Sequence, residues 1–135
     1  MSAIQDIVAR TIWAEARSEG LDGMAAVANV IQNRADQPGW WGRDLESVCL
    51  HPWQFSCWNV SDPQRSVIRA VDSDNPLFRD ALMLQEALKA GKLRDRTGGA
   101  DHYYADYIAA PKWAQGRYPT VVIGRHRFYR IGLSG

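Results

Sequence analysis

Glu15 is the residue whose position most suggests chemistry. The residues before it recur at helical spacing and form one mainly apolar stripe of a predicted helix, namely Ile4, Ile7, Val8, Thr11 and Ile12. Glu15 follows Thr11 by four residues and Ile12 by three, so a carboxylate stands where the pattern calls for an apolar side chain. Burial disfavours the ionised carboxylate and raises its pKa, as a general acid requires. The alternatives are that the helix ends before Glu15, or that Glu15 forms an ion pair with Arg17, Arg34 or another base.

A second group of candidates lies in residues 51–59, which we call the aromatic loop. Its aromatic residues alternate with amides and a hydroxyl in the order Trp53, Gln54, Phe55, Ser56, Trp58 and Asn59. Such a mixture suits sugar rings, which present apolar faces and polar edges. The alternative is a hydrophobic core beneath the loop.

A third group is the segment Asp101, His102, Tyr103 and Tyr104. If this segment is a strand, alternation sends Asp101 and Tyr103 to one face and His102 and Tyr104 to the other. A histidine in a strand is also compatible with a purely structural role.

Metal and cofactor sites are not predicted. Cys49, His51 and Cys57, with His102 or His126, could supply four zinc ligands, but their spacing matches no common zinc pattern. The chain has no glycine-rich phosphate loop and no Gly-x-Ser-x-Gly elbow. The two cysteines could instead form a disulfide in an oxidising setting or remain as two buried free thiols, and the sequence leaves both alternatives open.

The predicted elements place helices before strands. Helices are expected at 4–17, ending near Gly20, then at 23–34 with Asp22 as its cap, as a short turn near 45–48, at 62–71 and from Asn75-Pro76 to Gly91. Extended segments are expected at 100–104, 120–124 and 126–131, the last two as a hairpin around Gly124. This order predicts an α+β fold, mostly α.

The totals favour one globular domain over residues 1–135. The chain is 46% hydrophobic and 23% charged with a net charge of +1, which argues against a nucleic-acid partner. No apolar run approaches 18 residues, so stable membrane insertion is not expected. No signal peptide is apparent in the first residues, and we expect a monomer.

Five stretches together resemble the cell-wall hydrolase family that includes the spore cortex-lytic enzymes and many phage lysins. They read IWAEARSE at 12–19, AAVANVIQNR at 25–34, QFSCW at 54–58, TGGADHYY at 97–104 and IGRHRFY at 123–129. The stretches occur in order and span most of the chain. The family motif usually has glycine where Ser18 stands, so the turn after the first helix is expected to differ here.

The resemblance implies a lysozyme-like fold and cleavage of the β-1,4 bond between N-acetylmuramic acid and N-acetylglucosamine in peptidoglycan. Family members are described as lytic transglycosylases, in which the 6-hydroxyl of the sugar closes a 1,6-anhydro ring. One carboxylate then suffices, and Glu15 is expected to be acid and then base, with Glu19 as a possible helper. Action on the cell wall would require delivery from the host cytoplasm if the protein is a phage lysin.

The residues expected to bind substrate share polar or aromatic character and are Gln54, Phe55, Ser56, Asp101, His102, Tyr104 and His126. Three alternatives stay open: a hydrolysing muramidase, a non-catalytic glycan-binding module and a zinc-dependent amidase. The muramidase would need a second carboxylate or a held water, for which Asp22, Asp62 and Asp101 are candidates.

Overall fold

A computed structural model of the chain describes residues 5–51, 55–59 and 62–133. The helices are α1 Ile7–Ala16, α2 Gly20–Asp36, α3 Leu45–Leu50, α4 Gln64–Ala70 and α5 Pro76–Lys89. The strands are β1 His102–Ala105, β2 Val121–Ile123 and β3 His126–Tyr129, and short 3-10 turns occur at Arg17–Glu19, Ser56–Trp58 and Lys112–Ala114. The predicted α+β class with dominant helices is confirmed.

Two of the helices begin at side chains that cap them. The Asp44 carboxylate accepts a hydrogen bond from the Ser47 backbone N–H at 2.8 Å, and the Ser47 hydroxyl accepts one from the Asp44 N–H at 3.0 Å. The Asn75 side chain accepts from the Phe78 N–H at 3.1 Å, and Pro76 follows it at the first helical position. The helices predicted in these two regions are therefore confirmed, and α3 continues two residues beyond the predicted turn.

The junction between α1 and α2 differs from the prediction. The first helix ends at Ala16, and the 3-10 turn Arg17–Glu19 leads directly into α2, which begins at Gly20. Gly20 has a φ of 72°, which glycine adopts without strain, so the chain changes direction at this residue and enters α2. The prediction that Asp22 caps the second helix is wrong, because Asp22 lies inside its first turn and pairs with Arg96 at 3.2 Å.

The core is built around α2, which is buried from Gly23 to Ile31. Helices α1 and α5 pack against it, and its alanines allow this close approach. Gln85 of α5 holds the start of α1: its Oε1 accepts from the Ala9 N–H at 3.0 Å, and its Nε2 donates to Asp6 Oδ1 at 2.9 Å. The Ala9 N–H lies in the first turn, where a helix has no internal partner for its donors. Gln85 thereby supplies a missing acceptor to the helix that carries Glu15.

Among the described residues, the sheet has three antiparallel strands in the order β1-β3-β2. The predicted hairpin of β2 and β3 is confirmed, and β1 adds a third strand beside β3. The register places Tyr103, His126 and Phe128 on one face, where Phe128 packs against Ala26 and Val30 of α2. The opposite face carries Tyr104 and Tyr129, which the 3-10 turn Lys112–Ala114 covers. Both faces of β1 are therefore packed.

Cys49 and Cys57 are both free and buried, so the structure follows the free-thiol alternative. Burial raises the pKa of the Cys49 thiol to about 12 and also raises the pKa of Cys57, which keeps both thiols protonated at neutral pH. Within the described ranges, no helix has the length and apolar character needed to cross a membrane.

We expect Gln85→Leu to destabilise the protein by roughly 1–3 kcal/mol, because it leaves the buried Ala9 N–H without an acceptor. Chemical denaturation measures this loss. Gln32→Leu is the matched control, since the Gln32 side chain makes only an exposed hydrogen bond to Asp36, and a change within about 0.5 kcal/mol is expected there. Equal stabilities of the two variants would contradict the proposed support of α1.

Candidate active site

Glu15 lies in the last turn of α1, where its side chain is half-buried and faces β1. The Tyr103 hydroxyl donates a hydrogen bond to Glu15 Oε1 at 2.7 Å. Burial raises the pKa of Glu15 above its usual 4.5, and the negative charge of Asp62 acts in the same direction. The Tyr103 hydrogen bond and the positive charge of Arg34 oppose this increase but do not cancel it. The environment therefore favours a protonated carboxyl group near neutral pH more than water would.

Tyr103 is a further candidate residue, which the sequence alone does not single out. Its ring stacks on Phe128 at a centroid distance of 5.6 Å and lies 5.2 Å from the His126 ring. Burial and the neighbouring Glu15 charge raise the pKa of Tyr103 well above its usual 10.0, so its hydroxyl keeps its proton and remains a donor. Alternation along the strand separates Tyr103 from His102 and Tyr104, but it does not indicate which of the two packed faces meets α1.

Arg34 of α2 brings a buried positive charge toward the same region. Its Nε donates to the Asp101 backbone carbonyl at 2.7 Å, and its guanidinium lies over the rings of Trp41 and Phe55 at 5.6 and 5.5 Å. Burial lowers the pKa of Arg34, while the nearby Tyr103, Asp101, Cys49 and Glu15 favour its charged form. From the sequence, Arg34 is expected only as an alternative ion-pair partner for Glu15. In the structure it contributes a charge that partly stabilises the Glu15 carboxylate.

The aromatic loop is anchored to α1 one helical turn before Glu15. The Trp58 indole donates to the Thr11 hydroxyl oxygen at 2.7 Å, and the same hydroxyl donates to the Ile7 carbonyl at 2.8 Å. Phe55 is 2% exposed and belongs to the core, so it supports the loop from beneath. Gln54 and the side chain of Ser56 lie outside the described residues.

Asp101, His102 and Tyr104 form a separate arrangement. The Asp101 carboxylate contacts His102 Nδ1 at 2.8 Å and accepts from the backbone N–H groups of Ile131 and Gly132 at 2.8 and 2.9 Å. His102 and Tyr104 lie on the face of β1 opposite Tyr103, where Tyr104 stacks on Tyr129 at 5.9 Å. The structure thus brings Asp101 and His102 together, and it places His102 and Tyr104 on the face of the strand opposite Tyr103.

Glu19 and His126 lie on the same side as Tyr103. Glu19 Oε2 is 3.4 Å from the Arg125 backbone nitrogen and directly beside Gly124. Burial lowers the pKa of His126, and the negative charges of Glu19 and Asp106 oppose this decrease. His126 Nδ1 is buried, and it has no hydrogen-bond partner in the part of the chain that the structure describes.

The three aspartates considered as a second carboxylate differ in position. Asp62 acts electrostatically on Glu15, and its Oδ1 accepts from the Gln64 N–H at 2.8 Å. Asp22 is exposed and paired with Arg96, and Asp101 is occupied by His102 and two backbone amides. Across the described ranges, no group of three His, Cys, Asp or Glu side chains is arranged to hold a metal ion.

The chain is similar in sequence to proteins that are already known. The family model for Cell Wall Hydrolase matches residues 18–129. The match begins just after Glu15, so the role of that residue depends on its geometry. The spore cortex-lytic enzyme of Halalkalibacterium halodurans is 27% identical over 122 residues, which cover 90% of this chain. The chain spans 33% of the length of that relative.

Two solved structures share the fold. The catalytic domain of the germination-specific lytic transglycosylase SleB from Bacillus anthracis has a TM-score of 0.68 and 23% identity, covering 92% of this chain and 91% of that domain. The catalytic domain of the Bacillus cereus SleB protein has a TM-score of 0.70 and 25% identity, covering 92% and 87%. The predicted lysozyme-like α+β fold is confirmed by these matches.

The raised pKa of Glu15 makes a prediction about stability. A carboxyl group whose pKa is higher in the folded state destabilises that state once it ionises, so the cost is full above the folded pKa and disappears below the usual 4.5. We therefore expect Glu15→Gln to raise Tm by about 2–6 °C at pH 7 and to approach the wild-type Tm near pH 4.

Calorimetry across this pH range measures the difference. Glu46→Gln is the control, because Glu46 is exposed and its replacement should change Tm little at either pH. A Glu15→Gln variant that is no more stable than wild type at pH 7 would show that burial of the carboxylate carries no cost.

Proposed function

The chain belongs to the cell wall hydrolase family, and on this premise we propose that it cleaves peptidoglycan as a lytic transglycosylase. The bond proposed for cleavage is the β-1,4 link between N-acetylmuramic acid and N-acetylglucosamine. The observation that carries the proposal is the half-buried Glu15 carboxyl group, held by the Tyr103 hydroxyl at 2.7 Å and with a raised pKa. The relatives named as a spore cortex-lytic enzyme and a lytic transglycosylase make this class of reaction the first to test.

In the proposed reaction Glu15 acts twice. Its protonated carboxyl group donates a proton to the glycosidic oxygen, and the bond between that oxygen and the anomeric carbon of N-acetylmuramic acid breaks. The resulting carboxylate then takes the proton from the 6-hydroxyl of the same sugar as that oxygen bonds to the anomeric carbon. No water enters, and Glu15 ends protonated as it began. Because the 6-hydroxyl is tethered near the anomeric carbon, proximity replaces a second enzymic group.

Tyr103 and Arg34 have complementary roles in this scheme. Burial favours the protonated Glu15 needed for the first step, whereas the Tyr103 hydrogen bond and the Arg34 charge stabilise the carboxylate needed for the second. A group that must give and then take a proton works best when neither form is strongly preferred at the working pH. The opposing influences on Glu15 are consistent with that requirement.

The other site residues divide by their surroundings. Glu19 and His126, on the Glu15 side of the sheet, remain candidates for orienting sugar, together with Gln54 and Ser56 of the aromatic loop. Asp101, His102, Tyr104 and Phe55 are better explained as supports, because they are buried. We further propose that the protein acts on the cell wall as a monomer and without a metal ion.

A second candidate, a hydrolysing muramidase, is favoured by one observation, the electrostatic effect of Asp62 on Glu15. In that reaction a second carboxylate would activate a water molecule as a general base, or would attack the anomeric carbon as a nucleophile. Asp62→Asn should leave substantial activity in a transglycosylase and remove most of it in a muramidase.

Mass spectrometry of products from purified peptidoglycan tests the proposed function. Fragments should end in 1,6-anhydro-N-acetylmuramic acid, which is about 18 Da lighter than the hydrolysed equivalent because water is not added. Glu15→Gln should reduce turnover at least about a hundredfold, the low end for loss of a general acid. Glu46→Gln should retain activity. Products with reducing muramic acid ends alone would reject the transglycosylase and favour the muramidase.

Tyr103→Phe should move the pH dependence of activity. Loss of a hydrogen bond that stabilises the carboxylate raises the pKa of Glu15 further, so the alkaline limb of kcat/KM against pH should shift toward higher pH. Steady-state rates from pH 4 to 9 measure the shift. Tyr118→Phe is the control, because Tyr118 is almost fully exposed. An unchanged limb in Tyr103→Phe would mean that the hydroxyl does not tune Glu15.

A further inference from the structure

One end of the sheet carries a rim formed by two adjacent turns. The first turn follows β1 at residues 106–108, and the second is the β2–β3 hairpin at Gly124 and Arg125. The Asp106 N–H donates to the Arg125 carbonyl at 2.8 Å, which joins the two turns. The Ile108 N–H donates to the Ala105 carbonyl at 3.1 Å and closes the first turn. We call residues 106–108 with Arg125 the Tyr107 rim.

Tyr107 is held in a defined position although it is 67% exposed. The Arg125 guanidinium lies over its ring at 4.9 Å, and Arg125 Nε donates to Asp106 Oδ1 at 3.0 Å. Ile108, 52% exposed, adds apolar surface beside it. A single exposed tyrosine needs no explanation by itself. The Arg125 guanidinium, itself fixed by Asp106, lies over one face of this ring, and the exposed remainder of the ring is available to a ligand.

The Tyr107 rim is continuous with the site around Glu15. The Arg125 backbone nitrogen lies 3.4 Å from Glu19 Oε2, and the Glu19 charge reaches His126. The His126 ring lies 5.2 Å from Tyr103, whose hydroxyl binds Glu15. A chain of neighbouring side chains therefore connects the exposed ring to the proposed acid. A glycan strand bound at Glu15 would have this rim as one of its neighbouring surfaces.

We propose that the Tyr107 rim is a binding subsite for an acidic sugar unit of the glycan strand, a proposal that rests on the proposed function. The pyranose ring stacks its apolar face on Tyr107, as aromatic rings with a polar tip allow. The carboxylate of the same unit pairs with the terminal nitrogens of Arg125, because guanidinium groups match carboxylates in shape and charge. Among the described residues, the hydrogen bond of the Arg125 side chain uses Nε, which leaves its terminal nitrogens for the ligand.

This subsite would distinguish peptidoglycan strands from neutral chains of N-acetylglucosamine. Both polymers present pyranose faces to Tyr107, so both should depend on its ring. In intact peptidoglycan the lactyl carboxyl group of a muramic acid unit is bound to the stem peptide as a neutral amide, so the acidic unit is one from which the stem peptide has been removed. Such peptide-free strands carry lactyl carboxylates that chains of N-acetylglucosamine lack, so the charge of Arg125 should contribute to the binding of these strands alone.

The first measurement uses active protein and soluble glycan chains prepared from peptidoglycan by removing its stem peptides, which frees the lactyl carboxylates. Tyr107→Ala should raise KM about three- to tenfold with kcat nearly unchanged, a loss expected for one aromatic contact. Tyr107→Phe should restore the wild-type KM because it keeps the ring. Tyr118→Ala is the matched control, since Tyr118 is 94% exposed and lies in the segment that follows the turn Lys112–Ala114.

The second measurement tests the charge by binding alone. Isothermal titration of Glu15→Gln protein compares soluble glycan chains with N-acetylglucosamine oligomers of similar length. Adding Arg125→Gln should weaken binding of the acidic chains about threefold or more beyond any loss seen with the neutral oligomers, which share only the ring that Arg125 supports. Arg117→Gln, which replaces another exposed arginine, should change neither.

The inference is overturned if Tyr107→Ala matches Tyr118→Ala in KM, or if Arg125→Gln weakens both ligands equally. Failure of the proposed function gives a different result, because wild-type protein would then release no fragments from peptidoglycan. In that case a loss of glycan binding in Tyr107→Ala still supports the subsite, and unchanged binding rejects it.

Discussion

The structure depends on keeping one carboxyl group partly out of water at the end of a helix. Removal of Glu15 from solvent destabilises its charged form. The hydrogen bond from the Tyr103 hydroxyl replaces part of the lost hydration of the carboxylate. The contact joins α1 to β1, two elements separated by most of the chain. The packing of the sheet against α1 is therefore needed both for the fold and for the proposed chemistry, because it brings the Tyr103 hydroxyl to the Glu15 carboxyl group.

Several contacts elsewhere serve to hold this arrangement. Gln85 of α5 fixes the beginning of α1, and Trp58 binds Thr11 in its middle, so the helix is restrained on both sides before it reaches Glu15. Arg34 links α2 to the backbone just before β1 through the Asp101 carbonyl. These are hydrogen bonds between buried or partly buried groups, which would be costly to leave unmade. They make the position of Glu15 a property of the packed domain rather than of a flexible surface.

The sequence predicted the helices and the hairpin well because local signals determine them. Asn75-Pro76 favours a helix start because Asn75 caps the helix and Pro76 suits its first position, and Gly124 between two β-rich segments favours a turn. Glu15 could be selected because helical periodicity says which side of α1 is buried. Tyr103 could not be preferred over Tyr104 in the same way, since β1 is packed on both faces and alternation alone does not say which face meets α1. Phe55 was assigned to sugar because composition cannot distinguish an aromatic core from an aromatic surface.

Two separate features limit which residues can occupy position 124, where Gly124 stands. Its φ of 58° disfavours every residue with a side chain, and a Cβ atom there would come within 2.3 Å of Glu19 Oε2. Evolution can therefore vary the flanking residues of the hairpin more freely than this position. A lineage that changed Gly124 would need to reshape the turn, and the carboxylate end of the Glu19 side chain would have to move away from the hairpin. The glycine is thus expected to be inherited wherever Glu19 keeps its place against this turn.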